Sequence, residues 1–483
     1  MRPRWLWVLL ILSSFALLGY SAYRSVTLSF TYDESSSFTI IAEGSGLRGT
    51  SNDHPLNTAA MTWAYRHLGN QEWCLRLASV LAHVVYLAAG LRFLRKLRAP
   101  ATLLGFGLLN LNPFLLEFFG LARGYGMASA FSLLALCLLQ ESWQRFGTTQ
   151  GRTLLFLSSA LTPLAVFANY TWLNFQVAFT AVALVLIVAD YRASKVRSRG
   201  HLDYAAACLV VNGASIFYFA IKMLDLRRKG DLYAGTEDGF VHGTLRSLAQ
   251  YYLYEVNGVP AAADVLVYSV LGVVALIGVW LVVRSVRERR VHFSGILFGI
   301  LILLSLAPIA EHILFKTMFP ADRGALCYVP LFAVLMACVA DELASSSFGI
   351  PVGTWAASVL LTGAMVVHFA RTANVTHTLI WWYDANTRDA ITEVEMLFRE
   401  KGIDPPVTIG VFWPFERTLN YYRSVRNYTW LERVQPDPPQ SKPYDFLYCP
   451  IGFDLGEARK RYSLVRQYPE SNAELLAAPR DSK

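Results

Sequence analysis

Asp33 and Glu34 stand side by side in "TYDES", residues 31–35, a few positions beyond the first apolar run. A carboxylate in that place can take a proton from an attacking hydroxyl, with the second acid supporting it or holding a metal. The same residues also suit a structural role. Thr31 and Glu34 have the spacing of a capping box, and acidic side chains favour the positive end of a helix. Further along, Asp53 and His54 precede Pro55 in "NDHPLN", residues 52–57, where the proline restricts the backbone before it. An Asp-His pair can hold a divalent ion or polarise an acceptor, although a histidine before proline is also a common turn residue.

A third group is cationic. Arg123 and Tyr125 lie in "LARGYGMASAF", residues 121–131, and a guanidinium fork matches phosphate oxygens two at a time. Snorkelling to headgroups explains a single arginine equally well. Arg323 in "FPADRGALCYVP" and Lys316 just before it read the same way. Among ionisable residues within apolar runs or at their ends, Glu311 and His312 are the two that approach the same side.

The elements that must position these groups are membrane helices. Of 483 residues, 54% are hydrophobic and 16% charged, against about 25% charged in soluble domains, and the mean hydropathy is +0.36. Eleven apolar runs are long enough to be spans, near 5–23, 72–91, 101–119, 127–140, 153–168, 172–189, 204–222, 262–283, 293–314, 325–340 and 352–370. The first is read as a retained span rather than a cleaved leader. Basic clusters recur at the N-terminus, Arg92 to Arg98, up to Arg152, Arg192 to Arg199 and Arg284 to Arg290, which assigns those loops to the cytoplasm. The loop around Tyr32, the Leu224 to Ala261 loop and the tail then lie outside. The net charge of +8 reflects this topology and contact with headgroups, and gives no support to nucleic-acid binding.

The expected fold is thus an α-helical polytopic membrane protein of about eleven transmembrane helices, residues 1–370, with a first outer loop at 24–71. A C-terminal soluble α/β domain, 371–483, follows. There "TRDAITEVEMLFREKG" reads as a helix capped by Thr387 and stopped at Gly402. "PVTIGVFW" and "YDFLYCP" read as buried strands, each followed by a helical pattern, "FERTLNYYRSV" and "LGEARKRY". Six cysteines are scattered without metal or disulfide spacing, and no Gly-rich phosphate loop or internal repeat is present.

In these motifs the sequence resembles the GT-C class of multi-spanning glycosyltransferases, the type that includes protein O-mannosyltransferases and the lipid A aminoarabinose transferase. The carriers are "YDES", "NDHPLNT" followed by "WCLRLASVL", "LARGYGMASAFSLLAL" and "DRGALCYVPL", which together cover most of the chain up to about Ala340. One departure is Leu56, where relatives often carry a second proline after His-Pro. The resemblance implies an inverting transfer from a polyprenyl-phosphate sugar donor to an acceptor, whether protein, lipid or glycan, at the outer face of the membrane. It implies Asp33 as general base, Glu34 as its support, and Asp53 and His54 beside the acceptor or a metal. Arg123, Tyr125, Arg323 and Lys316 would bind the donor phosphate. A divalent cation, with Glu34 and His54 as ligands, is left open, as are a transporter or flippase of lipid-linked glycans and a membrane scaffold with an outer binding domain. The expected location is the bacterial inner membrane, multi-pass, with the tail extracytoplasmic.

Overall fold

The structure is a computed structural model and describes residues 3–44, 50, 52–193, 199–231, 235–254, 260–345 and 350–479. The basic loop at 192–199 therefore falls partly outside the described residues, as do Ser51 and parts of the 224–261 loop. Two compact units emerge: Met1–Ser21, Gly49–Asn57 and Ala78–Ala373 form the first, and Ala22–Arg48, Thr58–Leu77 and Asn374–Lys483 the second. The unit containing the tail thus also takes in two segments from the early chain.

Up to Thr372 the described elements are almost all helical: α1 (Arg4–Thr27), α2 (Tyr32–Glu43), α3 (Pro55–His67), α4 (Glu72–Leu94), α5 (Ala99–Asn110), α6 (Pro113–Glu117), α7 (Gly124–Gln144) and α8 (Thr149–Ala168). They continue with α9 (Leu173–Ala193), α10 (Arg199–Arg228), α11 (Arg246–Tyr252), α12 (Pro260–Glu288), α13 (Phe293–Phe315), α14 (Tyr328–Leu343) and α15 (Ile350–Thr372). Among the described residues, eight helices are long and apolar enough to cross a membrane: α1, α4, α8, α9, α10, α12, α13 and α15. The chain is a polytopic helical membrane protein.

Three of the eleven apolar runs stop short of that criterion, each for a visible reason. The run at 101–119 breaks after Asn110, because the Asn112 side chain caps Leu115 N at 3.0 Å and Pro113 opens the five-residue α6. In α7 the apolar stretch is flanked by Gly124, Tyr125 and Gly126 at one end and by Gln140, Glu141 and Gln144 at the other, and most of the helix is buried. The 16 residues of α14 reach only about 24 Å.

In the first unit, helices meet through small residues and polar contacts rather than through apolar area alone, as packing in lipid favours. A Cβ on Gly105 would meet Leu94 Cδ2 at 2.5 Å and Ala337 Cβ at 2.8 Å, so α5 approaches the end of α4 and α14 only as glycine. Asn212 of α10 donates to Ser159 Oγ at 2.7 Å and accepts from Thr162 Oγ1 at 3.1 Å and Gln176 Nε2 at 3.2 Å. That one amide ties α8, α9 and α10 together.

In the second unit the tail forms α16 (Thr387–Lys401), β1 (Ile409–Val411), α17 (Glu416–Val425), β2 (Phe446–Pro450), β3 (Ser463–Tyr468) and β4 (Ala473–Ala477). The sheet order is β1-β2-β4-β3, with β1 and β2 parallel (Gly410 opposite Leu447) and the other pairs antiparallel. A parallel pair needs a crossover, and α17 lies within it. Both expected strands and the helix after β1 are present. Gly402 stops α16 in the left-handed conformation with its N–H on Phe398 O, whereas the N-cap is Asn386, one residue before Thr387. After β2, "LGEARKRY" forms a 3-10 helix over Gly456–Arg461, opening on a glycine at φ +53°.

Replacing Asn212 with leucine removes the shared amide and is expected to destabilise the first unit by about 1 kcal/mol. Thermal unfolding of the detergent-solubilised protein against wild type measures it.

Candidate active site

The first turn of α2 is built from its own sequence. Thr31 is the N-cap; its Oγ1 accepts from Glu34 N at 3.4 Å, and Glu34 Oε2 accepts from Thr31 N at 3.0 Å, completing the capping box. Glu34 does a second job, because Arg76 of α4 reaches it from the side. Arg76 Nε donates to Glu34 Oε1 at 2.8 Å and Nη2 to Oε2 at 2.7 Å, with both side chains fully buried. The remaining donors of that guanidinium go to backbone carbonyls at the end of α1 and just beyond it: Ser25 at 3.1 Å, Leu28 at 2.9 Å and Ser29 at 2.9 Å. All five N–H groups of Arg76 are used, and the Phe30 ring lies 5.3 Å from its Cζ. Asp33 occupies the same first turn, 5% exposed, without being a member of the capping box.

The tail contributes to this turn. Asp384, 1% exposed, accepts Tyr32 N on Oδ2 at 2.6 Å, satisfying another N–H at the start of α2. Burial pushes the Asp384 carboxyl well above the usual carboxylate range. The charges of Glu34 and Asp33 add to the rise, and the Thr418 hydroxyl and the Tyr32 N–H oppose it. Phe30 N donates to Tyr422 Oη at 2.8 Å, and Ser35 Oγ lies 3.5 Å from Thr418 Oγ1. Arg417 hydrogen-bonds Ser36 and covers the Tyr32 ring at 4.6 Å, with Trp413 edge-on to the same ring at 5.8 Å.

A separate constellation occupies the first unit. Arg123 is the N-cap residue of α7 and is fully buried. Its Nη2 lies 2.6 Å from His54 Nε2 and hydrogen-bonds Asn52, while His54 Nδ1 lies 3.1 Å from Ala168 O. A guanidinium only donates, so Nε2 must accept and Nδ1 must carry the proton that goes to Ala168. His54 is therefore neutral. Burial lowers its pKa well below the ordinary histidine value, the Arg123 charge adds to that, and the Arg323 charge contributes less. Gly124 permits the fit, since a Cβ there would collide with Ala168 O and meet His54 Nδ1 at 3.1 Å. Asn57 Nδ2 donates to Ala122 O at 2.8 Å, and the Tyr125 ring lies 5.2 Å from the His54 ring. Asp53 accepts from Thr50 N at 3.0 Å and Thr50 Oγ1 at 3.3 Å.

The structure thus groups Asp33 with Glu34 in the second unit, and His54, Asp53, Arg123 and Tyr125 in the first, with Arg323 near enough for its charge to bear on His54. Lys316 is not in that group; it is exposed at the left-handed C-cap of α13. Glu311 accepts from Asn174 at 3.2 Å, and His312 contacts Thr317 O at 2.7 Å. Two participants escaped the sequence reading. Arg76 sits inside "WCLRLASVL" and carried a signal, an arginine one turn into an apolar span. Asp384 had none, since only the fold brings it to α2.

Among the described residues no group of three or more His, Cys, Asp or Glu is placed to hold a metal ion. Both Glu34 oxygens receive Arg76, and both His54 ring nitrogens are engaged. These two side chains, as arranged, do not offer a ligand set.

No family model and no curated protein sequence matches the chain. Solved structures do. ArnT from Cupriavidus metallidurans bound to undecaprenyl phosphate aligns with a TM-score of 0.55 at 13% identity, covering 98% of each chain. The apo structure of the same protein aligns with a TM-score of 0.52 at 12% identity, covering 97% of each. The chain has the ArnT fold. This is the fold that the GT-C resemblance implies, and it extends through the C-terminal sheet as well as the helices.

Two outcomes follow for the two constellations. Glu34→Gln or Arg76→Met each leaves a buried group without its partner and is expected to cost about 3–5 kcal/mol, read by thermal unfolding in detergent. Joint replacement by apolar residues does not restore stability, because the Ser25, Leu28 and Ser29 carbonyls still lose their donors. For His54, the unfolded chain takes up a proton below about pH 6.5 and the folded chain does not. Its stabilising contribution is complete above that pH and declines as pH falls toward the lowered folded value. Unfolding midpoints between pH 7.5 and 5 should therefore fall less steeply in His54→Asn than in wild type.

Proposed function

We propose that the protein is an inverting glycosyltransferase that moves a sugar from a polyprenyl-phosphate donor to an acceptor at the outer face of the bacterial inner membrane. The observation that carries this reading is the first turn of α2. A fully buried Glu34–Arg76 pair, a capping box and the Asp384 carboxyl all fix one short turn, and Asp33 belongs to that turn while serving no part of the box. Rigid placement is what a general base requires, since its oxygen must meet one particular proton. The shared fold supports the donor class, because one of the ArnT structures with that fold is bound to undecaprenyl phosphate.

In this reading Asp33 takes the proton of an acceptor hydroxyl as its oxygen attacks the anomeric carbon of the donor sugar. The bond from that carbon to the phosphate oxygen breaks, and the polyprenyl phosphate leaves with an added negative charge. Attack opposite the departing phosphate inverts the anomeric centre. Arg123 and Arg323 bear that charge, as oriented cations do when they are fixed before the reaction. His54 is the neutral wedge that aims the Arg123 guanidinium, and Tyr125 packs beside it. Glu34 supports Asp33 through the backbone, since its own oxygens are committed to Arg76 and Thr31. The tail lies outside, where its Asp384 and Tyr422 hold the same turn.

The test uses purified protein in proteoliposomes, a panel of undecaprenyl-phosphate sugars, and membrane extract as the source of acceptor. Wild type should turn over at least one donor. Asp33→Asn should lose about 10²–10⁴-fold in rate while still binding undecaprenyl phosphate. Arg123→Gln should weaken that binding. Wild-type turnover in Asp33→Asn would remove the base assignment.

A further inference from the structure

Where α4 and α7 end, away from the groups just described, three cations surround one carboxylate and a fourth lines the same cavity. Glu141 receives Arg92 through Nε and Nη2, both at 2.7 Å. Lys96 Nζ lies 3.2 Å from the same carboxylate and Arg145 Nη1 4.0 Å from it. Arg95 and Gln144 join them in lining an open cavity of about 540 Å³. Arg95 forms no ion pair among the described residues. The site lies about five turns along α7 from Arg123, or about 27 Å, so it is distinct from the Arg123–His54 constellation.

Basic residues are expected at this end of the bundle on topological grounds alone, but that expectation does not explain their arrangement. Elsewhere at this end some cations are matched, Arg98 with Asp341 at 3.2 Å, Arg152 with Asp190 at 2.9 Å and Arg284 with Glu342, and others, Arg192, Arg287, Arg289 and Arg290, are exposed with no ion pair among the described residues. Here the count is four against one. Lys96 is also drawn in, its side chain only 15% exposed. Burial pushes its pKa down, against the raising effect of Glu141. Like charges held together around a cavity favour an anion that can receive several of them at once.

The level of the site indicates which anion. Trp143 and Phe146, with rings 5.3 Å apart, lie on the turns beside Glu141 and Arg145, and Phe146 is exposed. Aromatic residues at the end of a bundle mark the headgroup level of a bilayer. Just above, α4 presents Leu81, Val84 and Val85 outward.

The geometry points to a binding site for the phosphate of an anionic phospholipid in the cavity between the ends of α4 and α7, held by Arg92, Arg95, Lys96 and Arg145. The excess charge faces the headgroup, the aromatic pair marks its depth, and the apolar face of α4 lies along the acyl chains. This site does not depend on the transferase reading.

The test is a titration of the full-length protein in detergent, followed by native mass spectrometry, with phosphatidylglycerol, phosphatidylcholine and inorganic phosphate as separate probes. Wild type should bind phosphatidylglycerol at least about tenfold more tightly than phosphatidylcholine at low salt. Arg95→Gln with Arg145→Gln, which leaves the Arg92–Glu141 pair in place, should reduce that preference by about fivefold per charge removed. Arg95→Gln alone, at an exposed unpaired side chain, gives the same effect at half the charge and guards against misfolding. Equal retention of the two lipids by wild type, or an unchanged preference in both variants, would overturn the proposal. Displacement of phosphatidylglycerol by equimolar inorganic phosphate would make this a soluble-phosphate site and overturn it equally.

Discussion

Arg76 is the charge on which the second unit depends. A buried guanidinium is tolerated only when every donor finds an acceptor. Here two go to one carboxylate and three to carbonyls at the end of α1 and just beyond it. One side chain therefore closes one helix and opens the next. The pair is not a source of large net stability, because burying both ions costs much of what their attraction returns. Its effect is geometric: the chain from Ser25 to Glu34 has one arrangement in which no buried charge is stranded.

The first unit solves a similar problem with the opposite balance. Arg123 is buried against a neutral imidazole and an asparagine, and His54 keeps its proton on the side facing Ala168. A histidine in that position is a hydrogen-bonding wedge rather than a switch, since burial and two arginine charges hold it in one form. In both constellations several polar groups hold one buried arginine still.

The sequence made part of this legible and concealed the rest for physical reasons. Local patterns carried through: the Thr31–Glu34 capping box, the Gly402 stop, two strands of the tail and the helical membrane part all depend on neighbours in the chain. Span counting was less secure, because Asn112-Pro113 interrupts an apolar run that hydropathy reads as continuous, and α14 is apolar but short. Strands β3 and β4 were not read, since β3 is a mostly exposed edge with a register shift near Leu464 and β4 a short apolar run. Capping and catalysis looked like rival explanations for the acidic pair. The structure shows the capping box, formed by Thr31 with Glu34, and Asp33 in the same turn outside it. Arg76 and Asp384 were invisible as partners of that turn, because their partnership is made by tertiary folding at separations of 42 and 352 residues.

That last separation has a consequence for how the protein is made. Tyr32 leaves the ribosome long before Asp384, by about 20–70 s at ordinary rates of synthesis. Through that interval the amide at the head of α2 lacks its eventual acceptor, and the crossover carrying Tyr422 does not yet exist. The turn that bears Asp33 is thus among the last parts of the second unit to be completed, and a nascent chain cannot assemble it before its own final quarter has been translated.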